Sequence, residues 1–149
     1  MKRIIRQFSM VCVIGILTPL LLFARTSSPK DANIYIISPA HGEVVQNPVT
    51  IKFGLSNMGI APIGVNKPNS GHFHLLIDEE KLPDFDKPLH FGEHYLHFSE
   101  GQTQVTLELS PGAHSLQLIL GDLGHMVHEP PVLSRKIQII VRNFSPANE

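Results

Sequence analysis

The sequence predicts an all-β protein: an immunoglobulin-like antiparallel β-sandwich preceded by a cleavable signal peptide. Three observations carry that expectation. Six short segments alternate apolar and polar residues with the two-residue period of a strand. No long stretch carries a helical period, and Pro and Gly recur between the segments.

The elements follow in order. Residues 1–24, MKRIIRQFSMVCVIGILTPLLLFA, place Lys2, Arg3 and Arg6 ahead of an apolar run from Phe8 to Phe23 and a small residue, Ala24. That is the layout of a secretory signal peptide, with cleavage expected after Ala24 and a periplasmic or secreted destination. Gly15 and Pro19 interrupt the run, which is short for a membrane span of ~20 residues, so no membrane span is expected after cleavage. An uncleaved anchor is the alternative. No cysteine follows the run, which argues against a lipid anchor.

Residues 25–32 read as a short linker, 33–142 as the sandwich domain and 143–149 as a C-terminal tail. Within the domain, NIYIIS (33–38) is a first strand, ended by Pro39. VTIKFGL (49–55) puts Val49, Ile51, Phe53 and Leu55 on one face. The stretch 72–78 is a third strand, with Phe73, Leu75 and Ile77 on one face and His72 and His74 on the other. TQVTLEL (103–109), HSLQLIL (114–120) and RKIQIIVR (135–142) alternate in the same way. The long connection after 72–78 has room for a short edge strand around Tyr95.

The junction LELSPGAHSLQL reads as the corner between the fifth and sixth strands of such a fold, where a tyrosine usually bonds back to the backbone. His114 takes that place and is read as a structural corner residue.

Topology then gathers residues that are distant in sequence. The third strand starts, and the sixth ends, at one pole of the sandwich. His72 and His74 should therefore lie near GDLGHMVHEPP, which carries His125 and His128, with His97 approaching from HYLHFSEG. His41 and His114 fall at the opposite end. Neutral imidazole is the commonest protein metal ligand and suits copper and zinc, so the expected metal set is His72, His74, His125 and His128, with His97 as a further member. Met126 and Glu129 are supplementary donors. The alternative is that these rings hydrogen-bond carbonyls and stiffen a loop ahead of Pro130 and Pro131. Asp122 is expected to accept loop N–H bonds. His90 and His94 read as surface residues, and Asp78, Glu79 and Glu80 as a solvated turn.

Composition narrows the function. Without its first 24 residues the 149-residue chain keeps 125, one domain's worth, with nine basic against 13 acidic side chains and a net charge of −4. A mildly acidic chain without basic clusters argues against nucleic acid as a partner. The single cysteine, Cys12, lies in the signal segment, leaving no disulfide, thiolate ligand or cysteine nucleophile.

Taken together, GHFHLLID, HFSEGQTQVTLELSPGAHSLQLILGD and HMVHEPPVLSRKIQIIV resemble the exported bacterial domain-of-unknown-function family forty-three ninety-nine. The resemblance covers most of 71–141. Its pattern falls here on His72, His74, His97, His114, Gly121, Asp122, His125, His128, Pro130 and Pro131. One departure is Val127, where the pattern has proline. The family name implies no activity.

Three functions compete. The first is an exported, non-catalytic domain that binds copper or zinc. The second is a metal-free interaction or structural domain of the cell envelope with a protein partner. The third is a metal-dependent enzyme of cupin-like or superoxide-dismutase-like type. Its motifs are partial, and no Ser–His–Asp order, phosphate loop or H-E-x-x-H stands out, so a binding role is expected over catalysis.

Overall fold

The structure, a computed structural model, describes residues 25–143. The signal-peptide expectation for 1–24 and residues 144–149 of the tail lie outside the described residues. Within them there is no helix, and none long and apolar enough to cross a membrane. Nine strands run as β1 (Asn33–Ser38), β2 (Val44–Gln46), β3 (Val49–Ser56), β4 (Gly59–Ile60), β5 (Ser70–Ile77), β6 (Tyr95–His97), β7 (Gln104–Leu107), β8 (Gly112–Gly121) and β9 (Ile137–Arg142).

They form two sheets. One has the order β1-β3-β7, the other β2-β9-β8-β5-β4, with β6 pairing β5 as well. The expectation of a wholly antiparallel protein needs correction. β2 runs parallel to β9 and β4 parallel to β5, so the larger sheet is mixed. After β1 the chain turns through Gly42, whose φ of 80° lies in the left-handed region, and then lies alongside β9 in the same direction. Gly42 N donates to Gln138 O and Ile140 N to Glu43 O, which seats the start of β2. Strands of two and three residues carry no readable alternation, so neither is visible as a period.

The main core draws on both sheets. Ile34, Val49, Ile51 and Phe53 from the smaller sheet meet Phe73, Leu75, Ile77, Leu116, Leu118, Leu120, Ile139 and Val141 from the larger. The Phe53 ring lies 5.3 Å from that of Phe73 and 4.9 Å from that of Phe98, so aromatic contacts bridge the sheets.

The far face of the larger sheet is also covered. Leu76 and Ile119 on that face pack with Leu89 and Tyr95 of the long connection and with Val127 after β8. All eight residues of β5 are therefore buried, and the strand's polar face is sealed rather than solvated. Removing a fully buried aromatic from the inner face leaves a cavity. Phe73→Ala should lower unfolding free energy by about 3–5 kcal/mol in a denaturant titration. A loss below about 1 kcal/mol would contradict this placement of the core.

Candidate metal centre

Two cross-strand pairings build the site. In the β5–β8 ladder His72 faces Gly121, and in the β5–β6 ladder His74 faces His97 directly. Pairing opposite a neighbour puts side chains on the same face at about 4.5–5.5 Å between Cβ atoms, so β6 delivers His97 to the face that carries His72 and His74. Leu96, its neighbour in β6, faces the core instead.

Gly121 supplies the space. A Cβ there would stand 2.9 Å from His74 Nε2 and 3.5 Å from His72 Nε2. Both rings thus lean over a position where any side chain would intrude.

The fourth ring comes from the turn after β8. Asp122 Oδ1 accepts from Gly124 N at 2.8 Å and Met126 N at 2.9 Å, while the Asp122 backbone N donates to Met126 O and His125 N to Asp122 O. The loop closes tightly enough to hold His125 at a φ of 61°, a left-handed conformation uncommon outside glycine. His125 Nδ1 then sits 3.3 Å from His72 Nε2. The His125 carbonyl accepts from Leu89 N, which brings the following residues of the connection over the site. The Phe91 ring lies 5.4 Å from that of His97 and 5.9 Å from that of His125, and is itself 63% exposed.

One ligand atom from each of His72, His74, His97 and His125 lies within 4.8 Å of all the others, a group that could hold a metal ion. The six ring-centre separations span only 4.8 to 5.8 Å. His72 and His74 are buried, and His97 and His125 form a half-buried rim.

His128 is not in this group. The bridge between Gly121 and Val127 points Val127 to the far face of the sheet, so His128 turns the other way. A Cβ on Gly71 would meet His128 Cε1 at 3.0 Å beside Leu120, on the core side. Its Nδ1 lies 3.3 Å from Leu120 O, and its Nε2 is buried without a partner. Glu129 also stands outside the group and pairs with the Arg25 guanidinium. Pro130 and Pro131 are exposed, and the Pro130 carbonyl accepts from Ser28 Oγ.

A strap from the start of the domain secures this loop. Arg25 donates to the carbonyls of Val127 and His128, Thr26 Oγ1 to Asp122 Oδ2, Glu129 N to Thr26 O and Ser28 N to Glu129 O.

The electrostatics favour neutral rings. Burial, and then the neighbouring His97 and His125, lower the pKa of His72 to about 4, with Asp122 pulling weakly the other way. Burial followed by His72, His97 and His125 takes His74 down to about 2. His97 is lowered by burial and then by His125. Neutral imidazole is the form that ligates metal. Neither nitrogen of His74 has a hydrogen-bond partner, nor does His97 Nε2. Buried polar groups are rarely left so.

His114 stands apart, at the corner leading into β8. Its Nδ1 lies 2.7 Å from Asp78 Oδ2, and its Nε2 lies 2.7 Å from the Ser110 carbonyl and 3.3 Å from Ser110 Oγ. Asp78 is thus no merely solvated turn residue, since its other oxygen accepts from Ser115 N. Asp78, His114 and Ser110 are connected in the order of a hydrolytic triad, yet the ring faces acceptors at both nitrogens. Burial works to lower its pKa, but the Ser110 carbonyl and the Asp78 carboxylate outweigh it and raise it. A ring that donates from both nitrogens cannot take a hydroxyl proton. A separate cavity of about 450 Å³, lined in part by Tyr35, His41, Arg135 and Lys136, shares no residue with the histidine group. His90 and His94 are exposed.

Sequence alternation identifies the His72–His74 face. The role of Gly121 and the membership of His97 over His128 come from pairing register, and that of Phe91 from the bond between Leu89 N and His125 O.

The sequence model of one protein family, described as Domain of unknown function (DUF4399), matches residues 51–142, more than half of the chain. The match contains all four clustered histidines. No curated protein and no solved structure matches the chain.

Two outcomes follow from this geometry. Unfolded histidines take up protons near pH 6.5, whereas folded His72 resists to about pH 4 and His74 further still. In that window the unfolded chain binds more protons, so acid destabilises the metal-free domain. Its melting temperature should fall between about pH 7 and about pH 5, and a flat profile would contradict the buried neutral rings. Gly121→Ala pushes the His74 ring aside, and should weaken any uptake of a metal ion by the group about 10–100-fold in calorimetry while the far-ultraviolet dichroism is unchanged.

Proposed function

The chain belongs to the DUF4399 family, and from that membership and the site's geometry we propose that it is an exported, non-catalytic domain that binds a transition-metal ion, copper or zinc. The observation that carries the reading is His74: fully buried, with neither ring nitrogen partnered, among three further rings. A ring kept only for packing or loop stiffness would find an acceptor for its N–H, as His114 does. An ion gives the orphaned lone pairs of His74 and His97 a partner at once.

Four histidine donors fill the coordination number that non-catalytic zinc sites take, whereas catalytic sites keep a position for water. That supports a binding role over the cupin-like and dismutase-like readings. Export rests on the basic, apolar and small-residue order of 1–24. The sheet orders β1-β3-β7 and β9-β8-β5 support an immunoglobulin-like sandwich, as A-B-E and G-F-C. The exposed Phe91 ring at the rim favours a second reading, in which the same pole docks an envelope protein.

Elemental analysis of the protein purified without a metal-chelating tag tests the main reading. One equivalent of zinc or copper is expected, lost in His72→Ala and His97→Ala and retained in His128→Gln. Absence of stoichiometric uptake of either ion at neutral pH would leave the docking reading.

A further inference from the structure

We infer that the histidine pole is a near-tetrahedral, all-nitrogen site that favours zinc(II) and copper(I) over copper(II). The inference rests on the metal-binding reading above and names the kind of ion that reading leaves open.

Ring geometry argues for it. A metal–nitrogen bond of about 2.0–2.1 Å puts each imidazole centre about 3.2 Å from the ion, so tetrahedral ligation separates every pair of centres by about 5.2 Å. A square plane instead requires four separations of about 4.5 Å and two of about 6.4 Å. The observed set has five between 4.8 and 5.0 Å and one, His74 to His125, of 5.8 Å. None is as short as a square edge, and none reaches its diagonal. The His72 Nε2 to His125 Nδ1 distance of 3.3 Å already equals the edge of a tetrahedron with such bonds, about 3.3 Å.

The frame resists flattening. His72 and His74 belong to a strand paired on both sides, His97 is locked opposite His74, and His125 is clamped by the Asp122 turn and by Leu89 N. These pairings and the turn fix the backbone positions from which the four rings reach toward one another.

Charge points the same way. No carboxylate joins the group among the described residues. The nearest acid in the loop, Asp122, has both oxygens committed, Oδ1 to Gly124 N and Met126 N and Oδ2 to Thr26 Oγ1. A neutral ligand set in a buried setting offers nothing to offset extra positive charge, which disfavours copper(II) relative to copper(I). Copper(II) with nitrogen ligands also prefers tetragonal geometry, whereas zinc(II) has no geometric preference from its d electrons and takes tetrahedral sites.

Cobalt(II) provides the test, because its visible absorption is intense in four-coordinate tetrahedral sites and weak in six-coordinate ones. Metal-free protein titrated with cobalt(II) should develop an intense band that saturates at one equivalent and is abolished by one equivalent of zinc(II). In His97→Ala, which removes one of the four donors at the rim, the band should be lost with the bound ion while the fold persists by dichroism. Saturable cobalt(II) binding with only a pale six-coordinate spectrum would overturn the tetrahedral assignment and leave metal binding intact. Failure of cobalt(II), zinc(II) and copper(I) alike to bind would overturn the metal reading itself, and this inference with it.

Discussion

The β5–β8 ladder is the constraint on which the rest depends. Six consecutive pairs from His72↔Gly121 to Ile77↔Leu116 hold one strand with opposite duties on its two faces. Phe73, Leu75 and Ile77 enter the main core, and their burial, at about 1.5–3 kcal/mol for a large apolar side chain, fixes the register. The other face then has no choice. A slip by one residue would drive histidines into the core and leucines outward, so the hydrophobic pattern that stabilises the sandwich also dictates where His72 and His74 stand.

That arrangement is costly. Each buried polar atom without a partner destabilises by about 1–3 kcal/mol, and both nitrogens of His74 are in this condition. The surroundings supply nothing to relieve it. Gly121 offers only space, Asp122 spends its carboxylate on its own turn, and Leu76, Ile119 and Val127 flank the rings with hydrocarbon. The fold holds four like groups at close quarters in a form ready to donate lone pairs, which is the preorganisation a metal site would need, its cost met by the core.

Much of this was open to reading in the sequence, and the remainder was hidden for physical reasons. Alternation marks the six longer strands, and it separates the histidine and hydrophobic faces of 70–77 because period-two patterning is a local property. The assembly of β6 against β5 is not local. Tyr95–His97 is three residues long, and only the register His74↔His97 decides that His97 belongs with the cluster. His128 illustrates the converse. The spacing H-x-x-H in a loop has no fixed phase, and the Gly121–Val127 bridge turns His125 and His128 to opposite sides of one sheet. The parallel β2 and β4 escape for want of length, and Asp78 because its partner, His114, lies 36 residues away.

The strap formed by Arg25, Thr26 and Ser28 carries a practical corollary. Those residues are bonded to the loop that presents His125, so the polypeptide enters the domain beside its four clustered imidazoles. A polyhistidine purification handle fused ahead of Arg25 would therefore dangle rival chelators at the very mouth of the pole. Loading measured on such a fusion would report the handle as much as the domain, and the opposite terminus, following β9, is the sounder place to attach one.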